Sequence, residues 1–466
     1  MPNSTPLLPE TALGEKALRE KSRRSLLDFT TYTFPTYIRA THLEELAARL
    51  EAIERGELKR LMIFMPPRHG KTELAGIRFP AWYLGRHPDE PIIYASYAAN
   101  LAHGKSRETR NLVESQTYQN VFGKFSCMDV PVELAEDERA IQAWRIKGHR
   151  GGMLAAGVGG GITGYGAKLL IIDDPHKNRQ EANSATIREA IWGWYGSTAR
   201  TRLEPEAAIV LIQTRWHQDD LAGRLLRLAA TDPKADRWEV LHLLAVSEAG
   251  EALWPGRFPI EELERIRATI GSWEFEALYQ GRPRPLEGAI FKREWFRIVP
   301  RAPQGLDWVR FWDLAVSVKE TADFTAGARC ALAEDGTLYM ADVVRGRWEW
   351  PEAKRIIIQT ALADGGGELG VEKVAFQLAA VQELRRESSL AATSIREVEP
   401  DRDKVARALP WAARAEAGKV ALVEGQWIGA FLSEVCDFPL GEHDDQVDAV
   451  SGAVQMIARG HHGIYL

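Results

Sequence analysis

The chain has 466 residues, of which 45% are hydrophobic and 27% charged, so it is long enough for two to three domains with cores of their own. A net charge of −6 argues against a uniformly basic nucleic-acid-binding surface, although a local basic groove stays open. Three widely separated cysteines (Cys127, Cys330 and Cys436) exclude a disulfide framework and a zinc site. The N-terminus lacks a signal pattern and no apolar run approaches ~18 residues, so we expect no membrane span.

The N-terminal part predicts a loose start followed by a helix. Residues 1–25 are polar, whereas within 26–56 apolar residues recur at helical spacing and end near Gly56. His42 opens that helix, where a contact to a nucleotide base and a simple helix cap are both possible. The short apolar run Leu61–Met65 then predicts a buried strand.

The segment after that strand resembles a phosphate-binding loop. Residues Pro66–Thr72 end in Gly-Lys-Thr and lead into a helical pattern, so backbone N–H groups at the helix start can hold phosphates. Lys71 supplies a point charge and Thr72 a hydroxyl ligand for Mg²⁺. Met65 stands where the motif has its first glycine, and a surface turn before a helix is the alternative.

A second buried strand is predicted over 91–97, followed by a polar helix. That helix carries Arg107 and Arg110, either of which could be an arginine finger toward a neighbouring subunit or part of a solvated helix face. Residues 148–168 hold nine glycines, which predicts a hairpin or a mobile loop.

A pair of acids follows the next strand. Four aliphatic residues lead into Asp173 and Asp174, the pattern of a Walker B strand, in which the first acid holds Mg²⁺ and the second activates water. A strand over 207–214 ends in Thr214, which would lie near the γ-phosphate, and another strand is predicted over 238–245. Alternating strands and helices indicate a parallel sheet with helices on both faces.

The second half has a different layout after a Pro-, Gly- and Arg-rich boundary at 281–294. Antiparallel strands come first, joined by a hairpin at 334–336, and alternating helices and strands follow, which is an RNase H-like order. Acids lie in or beside its apolar elements: Asp313, Glu372, Asp444, Asp445 and Asp448. Such carboxylates repel one another unless a cation neutralises them, which predicts a site for Mg²⁺ or Mn²⁺. Two such ions can activate water and stabilise the leaving oxygen when a phosphodiester is cleaved.

Two further residues of this half are candidates with open alternatives. Asp323 is an extra ligand or a loop cap, and His443 orients an acid or caps the final helix.

Together these motifs resemble the large terminase subunit of tailed bacteriophages or phage-like particles. The resemblance covers residues 35–460 and rests on segments that occur in the family's order: PPRHGKT, GGGITGYGAKLLIIDDPHK, TRWHQDDLAGRLL, FWDLA with ADFTAG, VEKVAFQ and FPLGEHDDQVDA. It implies a flexible segment at 1–35, a P-loop ATPase domain of the ASCE/RecA-like class at 36–280, a linker at 281–300 and an RNase H-like nuclease domain at 301–466. The implied function is an ATP-driven motor that packages double-stranded DNA and cuts it.

The resemblance also assigns site residues and partners. ATP and Mg²⁺ contact the loop and its neighbours: Pro67, Arg68, His69, Gly70, Lys71, Thr72, Asp173 and Thr214. Arg68 senses the γ-phosphate in cis, and Asp174 stands where relatives often have a glutamate as the ATPase base. Asp313, Glu372, and Asp445 or Asp448 hold the nuclease metal ions. The implied partners are DNA, a small terminase subunit, the capsid portal and copies of the chain in a ring, with a monomer possible in solution; the implied location is the host bacterial cytoplasm and not the finished particle.

Two alternatives remain at this point: a P-loop helicase or repair ATPase with a non-cutting second domain, and a DNA-tethering scaffold with a degenerate loop. For the DNA path, sequence-independent backbone contacts are predicted from basic residues near the boundary and in the second half: Arg282, Arg284, Lys292 and Arg293, or Arg345 and Arg347.

Overall fold

The structure is a computed structural model that describes residues 12–126, 130–283, 290–315, 324–373, 377–399, 403–439 and 441–460. It divides into two compact units. The first contains the residues up to 263 together with 276–283, and the second contains 264–275 together with the residues from 284 onward. The predicted domain limits and the 281–300 linker stay predictions.

The first unit is an α/β unit with the following elements: α1 (Ala12–Arg24), α2 (Leu26–Thr33), α3 (Thr41–Glu54), β1 (Arg60–Phe64), a π-helical turn (Thr72–Arg78), α4 (Phe79–Arg86), β2 (Pro91–Ser96), α5 (Ala99–Glu114), α6 (Gln116–Val121), β3 (Leu134–Arg139), β4 (Ala143–Ile146), β5 (Gly152–Gly157), β6 (Ala167–Asp173), α7 (Arg179–Asn183), α8 (Ala185–Trp194), a second π-helical turn (Tyr195–Ala199), a 3₁₀ turn (Arg200–Arg202), β7 (Leu203–Ile212), α9 (Leu221–Thr231) and β8 (Glu239–His242). Helix α10 (Ile260–Leu278) is broken at Gly271, and its residues are shared between the units.

Eight strands form one sheet in the order β3-β4-β5-β2-β6-β7-β1-β8. The strands from β5 to β8 run parallel, and β3 and β4 are antiparallel additions at one edge. Alternate residues of the central strands pack into separate apolar cores on the two faces, as in a sheet covered by helices on both sides. The predicted strands and the parallel sheet are confirmed, and β7 lies between the loop strand β1 and the Walker B strand β6.

Two sequence expectations for this unit differ from the structure. The first concerns part of the predicted flexible segment 1–35: helices α1 and α2 cover most of residues 12–33, whereas residues 1–11 lie outside the described residues. The indole of Trp82 donates to the carbonyl of Ser22 over 3.0 Å, and Arg23 donates to the carbonyl of Val121 over 2.8 Å, so these helices are tied to the unit. The polar composition of this segment suggests a loose chain because few side chains of α1 are buried.

The second difference is the glycine-rich segment. A β4–β5 hairpin exists, as predicted, but Gly152–Gly157 is a strand inside the sheet rather than a mobile loop. A Cβ on Gly152 would lie 2.1 Å from the carbonyl oxygen of Trp144, and one on Gly157 2.8 Å from the amide of Ala99. Glycine is needed there because other backbone approaches closely.

The second unit contains a 3₁₀ turn (Arg293–Trp295), β9 (Arg297–Val299), β10 (Val309–Asp313), β11 (Thr325–Leu332), β12 (Leu338–Gly346), α11 (Trp350–Ala363), β13 (Gly367–Glu372), α12 (Gln377–Arg385), a second 3₁₀ turn (Ser388–Leu390), β14 (Thr393–Val398), α13 (Lys404–Glu416), β15 (Val420–Val423), α14 (Ile428–Asp437) and α15 (Asp445–Gly460). Its sheet has the order β14-β13-β10-β11-β12-β15-β9. Strands β10, β11 and β12 are antiparallel neighbours, whereas β13 and β14 are parallel to β10. This confirms the RNase H-like arrangement.

Strand alternation decides which side chains of this sheet meet α15. Phe311 packs in the core that contains α15, whereas its neighbour Trp312 packs in the core on the opposite face. Because successive side chains point to opposite faces, Asp313 lies on the α15 side with Phe311. In β13, a Cβ on Gly370 would lie 2.2 Å from the sulfur of Met456 in α15, so Glu372, two residues later, also faces α15.

Candidate functional sites

The loop between β1 and the π-helical turn, which the sequence predicts to bind phosphates, has two residues in the left-handed backbone region. Arg68 and Gly70 have positive φ angles, 62° and 97°. A Cβ on Gly70 would lie 3.0 Å from a methyl group of Leu43, which favours glycine at this turn. The helix that follows is π-helical over Thr72–Arg78, and such irregular turns are frequent at functional sites. Arg68 is exposed, and its proposed γ-phosphate contact stays a prediction.

Two buried histidines fix the backbone of this loop. The Nε2 atom of His42 lies 3.0 Å from the carbonyl oxygen of His69, so His42 braces the loop. His69 bonds through Nδ1 to the carbonyl oxygen of Pro67 over 2.8 Å and stacks on Phe258 with ring centres 4.6 Å apart. Burial lowers the pKa of His69 to about 4, so the ring is neutral near pH 7.

Lys71 points from the loop to the carboxyl edge of the sheet. Its buried ammonium group donates to the carbonyl oxygen of Met65 over 3.1 Å and to the hydroxyl of Thr214. The same ammonium lies 3.9 Å from Oδ2 of Asp174. The structure therefore brings Lys71 together with Asp174 and Thr214, each of which lies more than a hundred residues further along the chain.

Asp173 ends β6 at the same edge and is buried. One carboxylate oxygen, Oδ2, accepts a hydrogen bond from the hydroxyl of Tyr94 over 2.6 Å, whereas Oδ1 is buried and has no hydrogen-bond partner among the described residues. Burial and the neighbouring charge of Asp174 raise the pKa of Asp173 to about 6, against the opposing effects of Tyr94, Lys71 and the Thr72 hydroxyl. A divalent cation beside Oδ1 would remove this penalty, so the residues fit Mg²⁺.

Asp174 follows in the left-handed region, with φ of 45°. Its Oδ1 accepts a hydrogen bond from the amide of Thr214 over 2.6 Å, which ties the Walker B acid pair to the end of β7. Aspartate and asparagine adopt positive φ more readily than glutamate, which gives a local reason for the shorter acid at this position.

The second unit brings four carboxylates together beneath one sheet edge: Asp313 at the end of β10, Glu372 at the end of β13, and Asp445 and Asp448 in α15. Burial, together with the charges of the other three acids, raises the pKa of Asp313 well above its usual range. Asp445 and Asp448 are 3% and 4% exposed. Carboxylate oxygens are the ligands that Mg²⁺ and Mn²⁺ prefer, so the donor set fits these metals.

Two basic residues of α13 pair with these acids. Arg407 donates to Asp448 over 2.8 Å and to Glu372 over 3.4 Å. Lys404 lies 2.6 Å from Oδ1 of Asp444 and 3.0 Å from Oδ2 of Asp448. Among the described residues, no three His, Cys, Asp or Glu side chains are arranged to hold a metal ion. The acids lie close together, but cationic side chains are bound to their oxygens, and their role as metal ligands stays a prediction.

Some of the other candidate residues lie in the described part of the second unit, and others lie outside the described residues. The ring of His443 lies edge-on to Phe324, and Arg345 and Arg347 lie over the same ring at 3.8 and 3.9 Å. Arg345 also donates to the buried Glu434 over 2.6 Å. Asp323 and Arg284 lie outside the described residues, so their predicted roles stay predictions.

Sequence reasoning missed three residues of these sites: Tyr94, Lys404 and Arg407. A tyrosine in a fully buried strand needs a partner for its hydroxyl, which is the only signal that could have pointed to Tyr94. Lys404 and Arg407 share a face of α13 at (i, i+3) spacing, but nothing in the sequence says that this face meets α15.

The comparisons with known proteins agree with this geometry. Residues 62–298, just over half of the chain, match the family model described as the T4-like-virus type, N-terminal part of the terminase large subunit. Residues 310–457 match the terminase RNase H-like domain. The chain belongs to the large terminase subunit family. The resemblance found in the sequence is thereby confirmed, and the family assignment favours a packaging motor over the helicase and scaffold alternatives.

The chain is also similar to solved structures of large terminases, of which those with a TM-score of at least 0.50 share its fold. The large terminase of a thermophilic bacteriophage has a TM-score of 0.51 at 13% identity, covering 91% of this chain and 100% of that chain. The complex of that phage enzyme with ADP has a TM-score of 0.50 at 14% identity, covering 88% and 99%. The magnesium-bound large terminase nuclease of another thermophilic phage, G20c, covers 37% of this chain and 98% of its own at 15% identity, with a TM-score of 0.28. No curated protein matches the chain.

The terminase is therefore an enzyme with two activities, an ATPase that drives DNA packaging and a metal-dependent DNA endonuclease in an RNase H-like unit. In the described part of the chain, no helix is both long enough and apolar enough to cross a membrane.

Proposed function

We propose that the loop and the three sheet ends of the first unit bind and hydrolyse ATP. Lys71 and the backbone N–H groups of Arg68–Thr72 hold the phosphates, and Thr72 with Asp173 holds Mg²⁺, which when bound neutralises the phosphate charge and polarises the transferred group. Asp174 accepts a proton from the attacking water. Thr214 forms hydrogen bonds with both Lys71 and Asp174. Through these bonds it couples ATP hydrolysis to movement of the segment that follows β7.

The nucleotide complexes of a similar protein support this proposal. The large terminase of the first thermophilic phage named above was solved with ADP and with ATP-γ-S. Arg68 in cis and Arg107 or Arg110 of a neighbouring copy are the candidates for contacting the γ-phosphate. Arg107 is exposed, whereas Arg110 donates to the carbonyl of Arg139 over 2.6 Å, so Arg107 is the freer of the two.

We infer that the second unit holds two Mg²⁺ or Mn²⁺ ions between Asp313, Glu372, Asp445 and Asp448. When bound, such a pair activates water and stabilises the leaving oxygen of a phosphodiester. For the ions to reach these oxygens, Arg407 and Lys404 must leave their present partners. The raised pKa of Asp313 supports a cation there, because clustered carboxylates with no metal favour protonation.

For the partners and the setting, we propose that the terminase translocates double-stranded DNA as a ring of copies on the capsid portal. A small terminase subunit delivers the DNA, and the work takes place in the host bacterial cytoplasm before the particle is finished. Exposed basic residues such as Arg282 and Lys292 are candidates for salt-sensitive contacts to the DNA backbone.

The observation that carries the proposal is the meeting of Lys71, Asp173, Asp174 and Thr214 at one sheet edge, together with four acids in a separate unit. Crystals of the full chain soaked in Mn²⁺ test the nuclease half directly. We expect anomalous peaks within coordination distance of Asp313 and α15. Peaks elsewhere, or none at these acids, would refute the assignment.

A further inference from the structure

Tyr94 contacts the Walker B acid from a neighbouring strand. In the β2–β6 pairing, Tyr94 stands opposite Ile171, and Asp173 lies two residues further toward the carboxyl edge on the same face. This diagonal offset lets the long side chain of Tyr94 reach Asp173. Its hydroxyl donates to Oδ2 of Asp173 over 2.6 Å, and Tyr94 is completely buried.

The contact fixes which oxygen of Asp173 stays available. Oδ2 is used by Tyr94, whereas Oδ1 is buried without a hydrogen-bond partner among the described residues. A carboxylate held at one oxygen can present the other in a single orientation.

Gly76, in the π-helical turn, leaves room for this arrangement because it has no side chain. A Cβ on Gly76 would lie 3.1 Å from the hydroxyl of Tyr94 and 3.3 Å from the methyl group of Thr72. A side chain at position 76 would therefore press on both the tyrosine hydroxyl and the threonine that follows Lys71.

We propose that Tyr94 is a positioning residue of the ATPase site, which holds Asp173 so that its second carboxylate oxygen faces the metal ion of the bound nucleotide. This inference rests on the proposed role of Asp173. Residues that bind metal ions are commonly oriented by side chains that hydrogen-bond to them. Removing such an orienting side chain weakens metal binding by about 10- to 100-fold. The competing explanation is that Tyr94 only fills the core.

Tyr118 provides a matched control for that explanation. It is also completely buried in the first unit, and its hydroxyl donates to the carbonyl of Ala81 over 3.2 Å. Replacement of either tyrosine by phenylalanine removes one buried hydroxyl and one hydrogen bond, but only Tyr94 contacts Asp173.

The experiment compares the full-length wild type with Tyr94→Phe, Tyr118→Phe and Asp173→Asn. Binding of the fluorescent nucleotide mant-ADP is followed by anisotropy in EDTA and during a titration with Mg²⁺. For Tyr94→Phe we expect the half-saturating Mg²⁺ concentration to rise about tenfold while the affinity in EDTA stays within about twofold of wild type. Tyr118→Phe should leave both values unchanged, and Asp173→Asn should abolish the effect of Mg²⁺.

The outcomes distinguish the positioning role of Tyr94 from the proposed metal-binding role of Asp173. If Asp173→Asn loses the Mg²⁺ effect while Tyr94→Phe keeps the wild-type titration, the positioning role is refuted and the proposed function survives. If Asp173→Asn keeps the Mg²⁺ effect, the proposed metal role of Asp173 fails, and the role of Tyr94 with it. Gly76→Ala gives a second test that leaves the hydroxyl in place, since it should shift the Mg²⁺ titration in the same direction as Tyr94→Phe.

Discussion

Arg407 donates from Nη2 to Oδ1 of Asp448 over 2.8 Å, inside the acid cluster of the second unit. Its Nη1 also reaches Glu372, at 3.4 Å, so one guanidinium joins an acid of α15 to the acid that ends β13. Lys404, one turn earlier on α13, bonds Asp448 as well. In the metal-free protein these two cations supply charge that metal ions would otherwise supply.

Because Arg407 and a metal ion need the same oxygens, Arg407→Gln should bind Mn²⁺ more tightly. We expect the dissociation constant for Mn²⁺, measured by isothermal titration calorimetry, to fall about tenfold. This corresponds to a gain of roughly 1.4 kcal/mol in the free energy of Mn²⁺ binding. The metal-free variant should also melt at a lower temperature, because buried acids lose a partner.

Arg414→Gln is the control for this effect, since Arg414 lies on the same helix but donates to the carbonyl of Gly336 over 2.8 Å. Its Mn²⁺ affinity should equal that of wild type. Weaker Mn²⁺ binding by Arg407→Gln would contradict the competition and would mean that Arg407 supports the metal-loaded site.

Asp174→Asn should separate nucleotide binding from hydrolysis. Asparagine tolerates the positive φ of this position and keeps an oxygen for the amide of Thr214, but it cannot accept a proton from water. We expect kcat for ATP hydrolysis to fall by about 100-fold or more, with ADP affinity unchanged within about twofold. Phosphate-release kinetics with a parallel ADP titration measure both, and a variant with wild-type kcat would exclude Asp174 as the base.

The raised pKa of Asp173 has a consequence for stability. Its value of about 6 in the folded, metal-free protein lies above the 3.8 usual for aspartate, so the folded state binds the proton more tightly. The stabilisation by this protonation is complete below about pH 4 and is lost as the pH rises through about 6. Since one pKa unit corresponds to about 1.4 kcal/mol, this protonation contributes roughly 2–3 kcal/mol to the free energy of unfolding.

Asp173→Asn removes this titration. In EDTA, the difference in unfolding free energy between Asp173→Asn and wild type should grow in favour of the variant between about pH 4 and pH 6 and then stay level. Urea unfolding monitored at several pH values measures it. Parallel pH profiles for the two proteins would contradict the raised pKa.

The buried Arg310 predicts a large structural effect away from both sites. It is 3% exposed and forms paired hydrogen bonds with Asp364, of 2.6 and 3.0 Å, and with Asp342, of 2.7 and 3.0 Å. Asp364→Ala leaves part of that charge unpaired, so we expect a loss of about 3–5 kcal/mol in unfolding free energy. Glu352→Ala breaks the exposed pair with Arg355 and should change stability by less than about 1 kcal/mol in the same urea experiment.

The elements that carry chemistry could be predicted from the sequence because their signals are local. The run Leu61–Met65 before Gly-Lys-Thr and the aliphatic run before Asp173 each combine a buried strand with polar residues at its end, and parallel strands meet at that edge. Asp313 and Glu372 are predicted from a different local signal, because each is an acid in or beside an apolar run. The weak strands β3, β4 and β9 were missed because they are short edge additions with little apolar patterning.

Long-range pairing could not be predicted in the same way. Tyr94 and Asp173 are 79 positions apart, and their contact depends on β2 lying beside β6 in a given register. Arg407 and Asp448 likewise meet only because α13 packs near α15. The sequence predicts a loose segment in place of helix α1, because the contacts of this helix to Trp82 and Val121 come from residues far along the chain.

The most direct measurement compares two single substitutions in two assays, ATP hydrolysis and Mn²⁺-dependent nicking of a supercoiled plasmid. We expect Lys71→Ala to lose ATP hydrolysis and to keep nicking, and Asp313→Asn to lose nicking and to keep ATP hydrolysis. Loss of both activities in each folded variant, or nicking that survives Asp313→Asn, would contradict the assignment of two separate metal-dependent sites to the two units of this chain.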